Sequence, residues 1–399
     1  MSNRHINLIF LSNIAYSSEM AGARRIHHFI EYLSKYPDIH IQWLHIQPRE
    51  RKISASRKRI NQRLVAQTIG SNHQSGLGNI LKYFKYFCRG IHFLKSSYLP
   101  GQKNILYIHR YPDRENLILI LSAKLIGYKI IFDIDDNFYA VIDCQNSFSS
   151  SNSMNQFVLR SQKWIQHLAN HIIVISTSLF KKFSKQKQKN WLLTLLPVTL
   201  QADKFQWQLH RPYEPVKIFY NGNFLDSDGI ENLLKAFERI AGRFPESMLY
   251  LSGMGVSKRI AWIKSHIDDS PFHGRIQYLG YLKENSIYQF LKSCDIIYAV
   301  QGNSSGNAIG FPAKLAEYLA TGKSVLTPSS GEILKYLADK KNVIFVNPGE
   351  IDSIATGIEY LLKNRDLAVK IGLAGQRVAL QNFDLQVVGQ KFYKILQTV

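Results

Sequence analysis

Acidic residues are scarce in this sequence. Asp and Glu number 29 against 50 Lys and Arg, which leaves a formal charge of +21 at pH 7. Such a balance favours polyanionic partners: nucleic acid, anionic lipid headgroups or phosphorylated substrates. Cysteine is scarcer still. Cys88, Cys144 and Cys294 are too scattered for a metal site and too few for a disulfide framework. No apolar run reaches the roughly 18 residues that a spanning helix needs, and the N-terminal MSNRHINLIFLSNIAYSS holds too short an apolar run for a signal peptide. The expected compartment is the cytoplasm. Internal repeats and low-complexity tracts are absent too, which excludes solenoids and tail-like segments.

What is present reads as α/β. The chain has 399 residues, 45% hydrophobic and 20% charged, values that suit two globular domains better than one core. Ile6 to Leu11 reads as a strand, Ala21 to Tyr36 as a helix and Ile39 to Ile46 as a second strand. This is a βαβ opening of the Rossmann kind, with Gly22 near the first helix N-terminus. It lacks G-x-G-x-x-G, so a dinucleotide fingerprint is not supported. Arg49 to Arg63 is a basic, turn-poor segment. From Leu81 to Lys95 aromatic and basic residues interleave at helical spacing. That pattern suits an interfacial helix on anionic lipid. It equally suits an ordinary domain helix with its aromatic face inward. No nucleic-acid reader motif accompanies it, so no nucleic-acid partner is expected.

Further strands are expected at Ile105 to His109, Lys129 to Ile134 and Ile172 to Ile175, with a helix at Glu115 to Ile126. The strand ending in Asp133-Ile134-Asp135-Asp136 places carboxylates at a C-terminal edge, where open α/β sheets bind ligands. Asp135 or Asp136 would act there as general base, or would fix a hydroxyl by hydrogen bonding; a capped turn is the plain alternative. His109, beside Arg110 at a strand end, is a further candidate. Asp203 to Pro215 reads as a linker, and a second α/β unit follows it. The expected boundaries are 1–205, 206–382 and a final helix, 383–399, packing back toward the first domain.

The most informative stretch is Gly306 to Pro328, GNAIGFPAKLAEYLATGKSVLTP. It reads as a polar loop, a helix from about Pro312 to Ala320, a turn at Gly322 and a buried strand. The loop and helix start aim free backbone N–H groups and a positive helix dipole at one point, a phosphate or diphosphate site. Glu317 could accept hydrogen bonds from two adjacent hydroxyls, such as a ribose diol. Lys314, one turn earlier, would supply a cation, or would pair with Glu317 as an ordinary i, i+3 surface pair.

The order of these motifs resembles a known family. Gly222, Gly229-Ile230, Gly253-Met254-Gly255, Leu279-Gly280-Tyr281, Cys294-Asp295-Ile296-Ile297 and Glu317 to Val325 follow the order of the retaining, nucleotide-sugar-dependent GT-B glycosyltransferases, family 4-like, that build bacterial polysaccharides. Gly22, Arg24, Lys129 to Asp136 and Asn170 to Ser176 carry the resemblance, more weakly, into the first half. It implies two Rossmann-like doubly wound domains facing a cleft. The donor would bind mainly to the second domain and a glycan or polyprenyl-diphosphate-linked acceptor mainly to the first.

Carried over position by position, Glu317 would hold the ribose, and backbone N–H groups near Ala308, Ile309, Gly310 and Phe311 would face the diphosphate or sugar. Gly22 would allow close approach of the first loop. Asn223, Gly253, Gly255 and Leu282 would border the donor and its base. No cofactor and no metal are implied, since helix dipoles and cations neutralise the leaving diphosphate. The enzyme would lie peripherally on the inner face of the plasma membrane and serve exopolysaccharide, capsule or O-antigen synthesis.

Three electrostatic parts depart from the family pattern. Ile309 stands where a glutamate is common, Asn223 and Asp228 stand where Arg and Lys are common, and Asp135-Asp136 replaces His-Asp. Lys314, or the pair Lys258 and Arg259, would replace the missing cations. The same departures support a rival reading, a catalytically inactive scaffold of a glycan-assembly complex. An epimerase on the same fold and a nucleic-acid binder are weaker rivals.

Overall fold

The computed structural model describes residues 5–12, 21–47, 56–59, 64–70, 78–110, 114–135, 164–165, 167–186, 191–205, 215–225, 228–299 and 310–399. They fall into two units, Met1–Thr199 with Leu385–Val399, and Leu200–Asp384. The strands of the first are β1 (Ile6–Ser12), β2 (Ile39–Gln47), β3 (Ser56–Arg59), β4 (Leu64–Gly70), β5 (Lys103–His109), β6 (Lys129–Ile134), β7 (His171–Val174) and β8 (Leu192–Leu195). They lie in the order β3-β4-β2-β1-β5-β6-β7-β8. Helices α1 (Ala21–Leu33), α2 (Gly78–Ser97), α3 (Arg114–Ile126) and α4 (Thr177–Lys185) belong to the same unit.

β1 is buried along its whole length, which is why it reads as a continuous apolar run rather than an alternation. Leu8, Phe10, Trp43, Ile105 and Tyr107 pack with Ile26, Phe29, Ile30 and Leu33 of α1. β3 alone among the described strands runs antiparallel to its neighbour, pairing Ser56 with Thr68. It falls inside the segment read only as basic. Its sequence, Ser-Arg-Lys-Arg, has no apolar period to announce a strand, but cations at a sheet edge discourage pairing with another chain.

His171 opens β7 and is buried, with Nε2 at 2.9 Å from Thr194 Oγ1. Burial lowers its pKa from 6.5 to about 4. The unfolded chain therefore binds the extra proton first. Stability from this group is complete above pH 6.5 and is lost as pH falls toward 4. The urea midpoint should drop between pH 7 and pH 5, and less steeply in His171→Gln; equal slopes would contradict the assignment.

The second unit holds β9 (Val216–Gly222), β10 (Ser247–Gly253), β11 (Ile276–Tyr278), β12 (Ile296–Tyr298), β13 (Ser324–Thr327) and β14 (Ile344–Phe345). All their pairings are parallel, in the order β11-β10-β9-β12-β13-β14. Its helices are α5 (Ile230–Ala241), α6 (Ser257–Asp269), α7 (Glu284–Ser293), α8 (Ala313–Ala320), α9 (Ile333–Tyr336), α10 (Ile351–Lys363) and α11 (Arg365–Phe383). The amphipathic stripe of α5, Leu233, Leu234, Phe237 and Ile240, is fully buried against this sheet. Because β9 is flanked by β10 on one side and β12 on the other, the connections switch direction between β9 and β12. That is the place where such sheets bind ligands, outside the strands' carboxyl ends.

A last helix, α12 (Leu385–Thr398), belongs to the first unit. Its Phe392 stacks on Phe29 at 4.1 Å and its Tyr393 on Tyr36 at 4.0 Å.

Candidate functional site

A cavity of about 230 Å³ opens at the switch point of the second sheet. Tyr220, Asn221 and Gly222 end β9, Tyr298 and Ala299 end β12, and Pro312, Lys314, Leu315 and Tyr318 come from the start of α8. Pro312 caps α8 with extended backbone, and the first intrahelical bond runs from Ala316 N–H to Pro312 O at 3.2 Å. The N–H groups of the first turn thus have no partner within the helix, and they carry the positive end of its dipole. Among the described residues lining the cavity, Lys314 is the cation. Tyr318 donates to Asn221 O at 3.3 Å, which ties the helix to the strand end.

Two further buried tyrosines share the wall. The Tyr220 hydroxyl donates to Asp228 Oδ2 at 2.9 Å, and that oxygen also accepts from Leu225 N–H at 3.1 Å. Burial, then the Asp228 charge, pushes Tyr220 far above the usual tyrosine range. Tyr298 differs. Its hydroxyl is buried and has no hydrogen-bond partner among the described residues, which leaves a polar group in the cavity wall. Gly253, ending β10, adopts φ 140°, and a Cβ there would lie 1.7 Å from Gly222 O. Glycine at 253 is therefore required for β9 and β10 to end side by side. Around this rim Leu225, Met254, Val256 and Tyr281 expose apolar surface.

The carboxyl edge of the first sheet carries a separate cluster. Asp133 is fully buried and accepts from Arg25 Nε at 2.7 Å and from the Tyr107 hydroxyl. Arg25 also donates to Pro197 O at 2.6 Å and Leu196 O at 3.0 Å. Desolvation alone would lower the Arg25 pKa, but Asp133 and Tyr107 outweigh it and raise the pKa. Asp135 accepts from Arg110 Nε at 3.1 Å and lies 2.9 Å from His109 Nε2. Burial would raise the Asp135 pKa, yet His109, Arg110 and Arg25 together hold it well below the usual carboxylate range. An ionised carboxylate only accepts, so the proton sits on His109 Nε2. His109 Nδ1 is left buried without a partner among the described residues.

Residues 201–378 match the model of the family described as glycosyl transferases group 1. The solved structure of sucrose-phosphate synthase from Thermosynechococcus elongatus superposes with a TM-score of 0.71, covering 98% of both chains at 13% identity. The GT-B architecture follows. The chain has the GT-B fold, and the match to glycosyl transferases group 1 falls within its second unit. HepE from Anabaena, solved in complex with UDP, matches with a TM-score of 0.70 and 14% identity over 99% of this chain and all of that one. YqgM of Bacillus subtilis (strain 168), described as an uncharacterized glycosyltransferase, is 22% identical over 241 residues. That match spans 60% of this chain and 65% of YqgM.

On this GT-B scaffold the residues read from the sequence divide. Asn223 and Lys314 line the cavity. Gly255 stands beside it, a Cβ there lying 3.4 Å from Phe224 Cβ. Glu317 is half-buried on α8, one turn after Lys314, and is not among the lining residues. Leu282 is half-buried just past Gly280, whose carbonyl accepts from Gly253 N–H at 2.9 Å. The Phe311 ring is buried against Tyr336 and Phe383, so any ligand role falls to its backbone; Gly310 is half-buried before it. Gly22 is buried in α1 of the first unit. Ala308, Ile309 and Asp136 lie outside the described residues. Of the alternative cations, Arg259 is taken by Glu231 and by Trp262, whose ring centroid is 5.4 Å away. The sequence reading missed Tyr298. Its position, closing the strand that faces the switch point, was the available signal. Among the described residues no group of three or more His, Cys, Asp or Glu is placed to hold a metal ion.

Proposed function

We propose that this chain transfers a sugar from a nucleoside-diphosphate sugar to a hydroxyl of a glycan or lipid-linked acceptor. The reading rests on the cavity at the β9/β12 switch point, where the α8 N-terminus, Lys314 and the Tyr298 hydroxyl converge. In the reaction the bond from the sugar's anomeric carbon to the diphosphate breaks, and its electron pair leaves with the nucleoside diphosphate. The acceptor oxygen bonds that carbon and passes its proton to an oxygen of the departing diphosphate. A positive helix end and an ammonium group stabilise the departing charge without reorganising. Asp135, held ionised, is a weak proton acceptor, and fixing an acceptor hydroxyl suits it better. We assign Glu317 to the ribose diol, retention to the stereochemistry, and cell-surface polysaccharide synthesis at the inner membrane face to the role. Helix dipole and Lys314 are the parts that would serve in place of a metal.

A second reading, a non-catalytic scaffold, draws support from Asp228. Standing where the family often has a cation, it is bound by Tyr220 and Leu225 N–H and braces the turn. A thermal-shift screen against UDP, GDP, dTDP and their sugars separates the two. A ligand at 100 times its Kd stabilises a fold by about 2.7 kcal/mol. One nucleotide should raise the melting temperature, and Glu317→Ala should remove the rise. HepE binds UDP, which makes UDP the first to try. No response to any nucleotide would favour the scaffold.

A further inference from the structure

The solvent side of α3 is apolar where a surface helix should be polar. Its sequence, RENLILILSAKLI, carries an unbroken apolar run from Leu117 to Leu121. Leu119, Ile120 and Ala123 are buried, as expected for a helix on a sheet. On the outer side Leu125 is 90% exposed and Ile118 42% exposed, with half-buried Leu121 between them. The spacing i, i+3, i+7 makes one stripe. Beside it, Lys124 Nζ donates to Leu168 O at 2.6 Å and His167 O at 3.3 Å, which fixes the following segment against α3. Trp164, four residues before Leu168, is 46% exposed.

α2 lies alongside. A Cβ on Gly90 would fall 2.6 Å from Leu119 Cδ2, so the two helices touch at that point with no room for a side chain. Both pack on the same sheet, side by side. On α2 the outer side holds exposed Arg89, His92 and Lys95 at i, i+3, i+6. The sequence of α2 contains Lys82, Lys85, Arg89 and Lys95 and no acidic residue. An apolar stripe with an indole, bordered by a helix that carries cations and no acidic residue of its own, fits the boundary between acyl chains and anionic headgroups. A second copy of this chain fits worse. Two-fold pairing would set one cationic α2 against another.

We propose that the outer face of α2 and α3 is a lipid-docking surface that seats this unit on an anionic bilayer, with Ile118, Leu121, Leu125 and Trp164 entering the headgroup boundary. It extends the membrane-face part of the proposed function and rests on it only for the nature of the acceptor. Among the described residues no helix is long and apolar enough to cross a membrane. Docking by this face would be reversible and sensitive to salt.

The test uses the full chain with sedimented vesicles of phosphatidylglycerol mixed into phosphatidylcholine, and of phosphatidylcholine alone. The parent should bind the anionic vesicles at low salt, at least tenfold more tightly than the neutral ones. Ile118→Asp/Leu125→Asp should weaken that binding at least tenfold with an unchanged melting temperature, both positions being exposed. Arg89→Glu/Lys95→Glu should weaken it further per residue than neutral replacements and flatten the salt dependence. Binding indifferent to vesicle charge, or unaltered in the stripe variant, would overturn the proposal. So would a parent dimer, seen by sedimentation velocity, that the stripe variant converts to monomer while vesicle binding persists. The nucleotide response of the same variants keeps the two readings apart. Lost lipid binding with an intact UDP-type shift sinks only the docking surface. Retained lipid binding without any nucleotide shift sinks only the transferase.

Discussion

Replacing Lys314 with alanine should lower kcat about 10²–10³-fold while leaving the fold and the nucleotide-induced thermal shift largely in place. The departing diphosphate gains negative charge as the glycosidic bond breaks. Among the described residues lining the cavity Lys314 is the cation, and Asn223 and Asp228 occupy places where the resemblance leads one to expect Arg and Lys. With those absent, the remaining ammonium should carry an unusually large share of the stabilisation. The measurement is nucleotide release from whichever donor raises the melting temperature. The loss should appear in kcat more than in KM, because the interaction strengthens in the transition state. Lys314→Arg should recover part of it. If Lys314 only made a surface pair with Glu317, the loss would be under about twofold, in line with a few tenths of a kcal/mol.

The largest effect on stability should come from Asp133→Ala. Its carboxylate is fully buried and holds Arg25 and Tyr107. Removing it strands a guanidinium that stays charged, a defect that typically costs about 3–5 kcal/mol. Urea unfolding at pH 7 measures this directly. Arg25→Met combined with Asp133→Leu should regain much of the loss, since an apolar pair avoids desolvating two charges. Recovery should be incomplete, because Arg25 also satisfies the carbonyls of Leu196 and Pro197. A double variant no better than Asp133→Ala alone would show that the carbonyl bonds, rather than the ion pair, carry the site.

Much of this architecture was readable from the order of residues. Strands such as β1 and β6 are buried on both faces and announce themselves as short apolar runs. The loop–helix at Pro312 is punctuated by proline before it and glycine after it, and the helix forms where that punctuation puts it. β3 was invisible because its residues are chosen for an edge rather than for a core. The site was less legible than the fold. A carboxylate at a strand end looks the same in sequence whether it is a base or an anchor. Only the placement of Arg25 on α1 and of His109 on β5 separates the buried clamp, Asp133, from the charged acceptor, Asp135. Tyr298 was missed for a similar reason. An aromatic at the end of a short strand reads as core, and whether its hydroxyl finds a partner is a property of its surroundings.

The position of α12 has a consequence for synthesis on the ribosome. Its Leu385, Val388, Phe392, Ile395 and Leu396 complete the cluster formed by Phe10, Phe29, Tyr32 and Tyr107. A nascent chain that has just emerged through Thr199 therefore carries an open apolar wall. The wall stays open until all of Leu200–Asp384 has been translated, on the order of ten seconds or more at ordinary elongation rates. The second unit can fold meanwhile, before the first is finished. Domains usually mature in the order in which they are made; here the first to leave the ribosome is the last to close, and a chaperone that shields Phe29 and Tyr32 would have that interval in which to act.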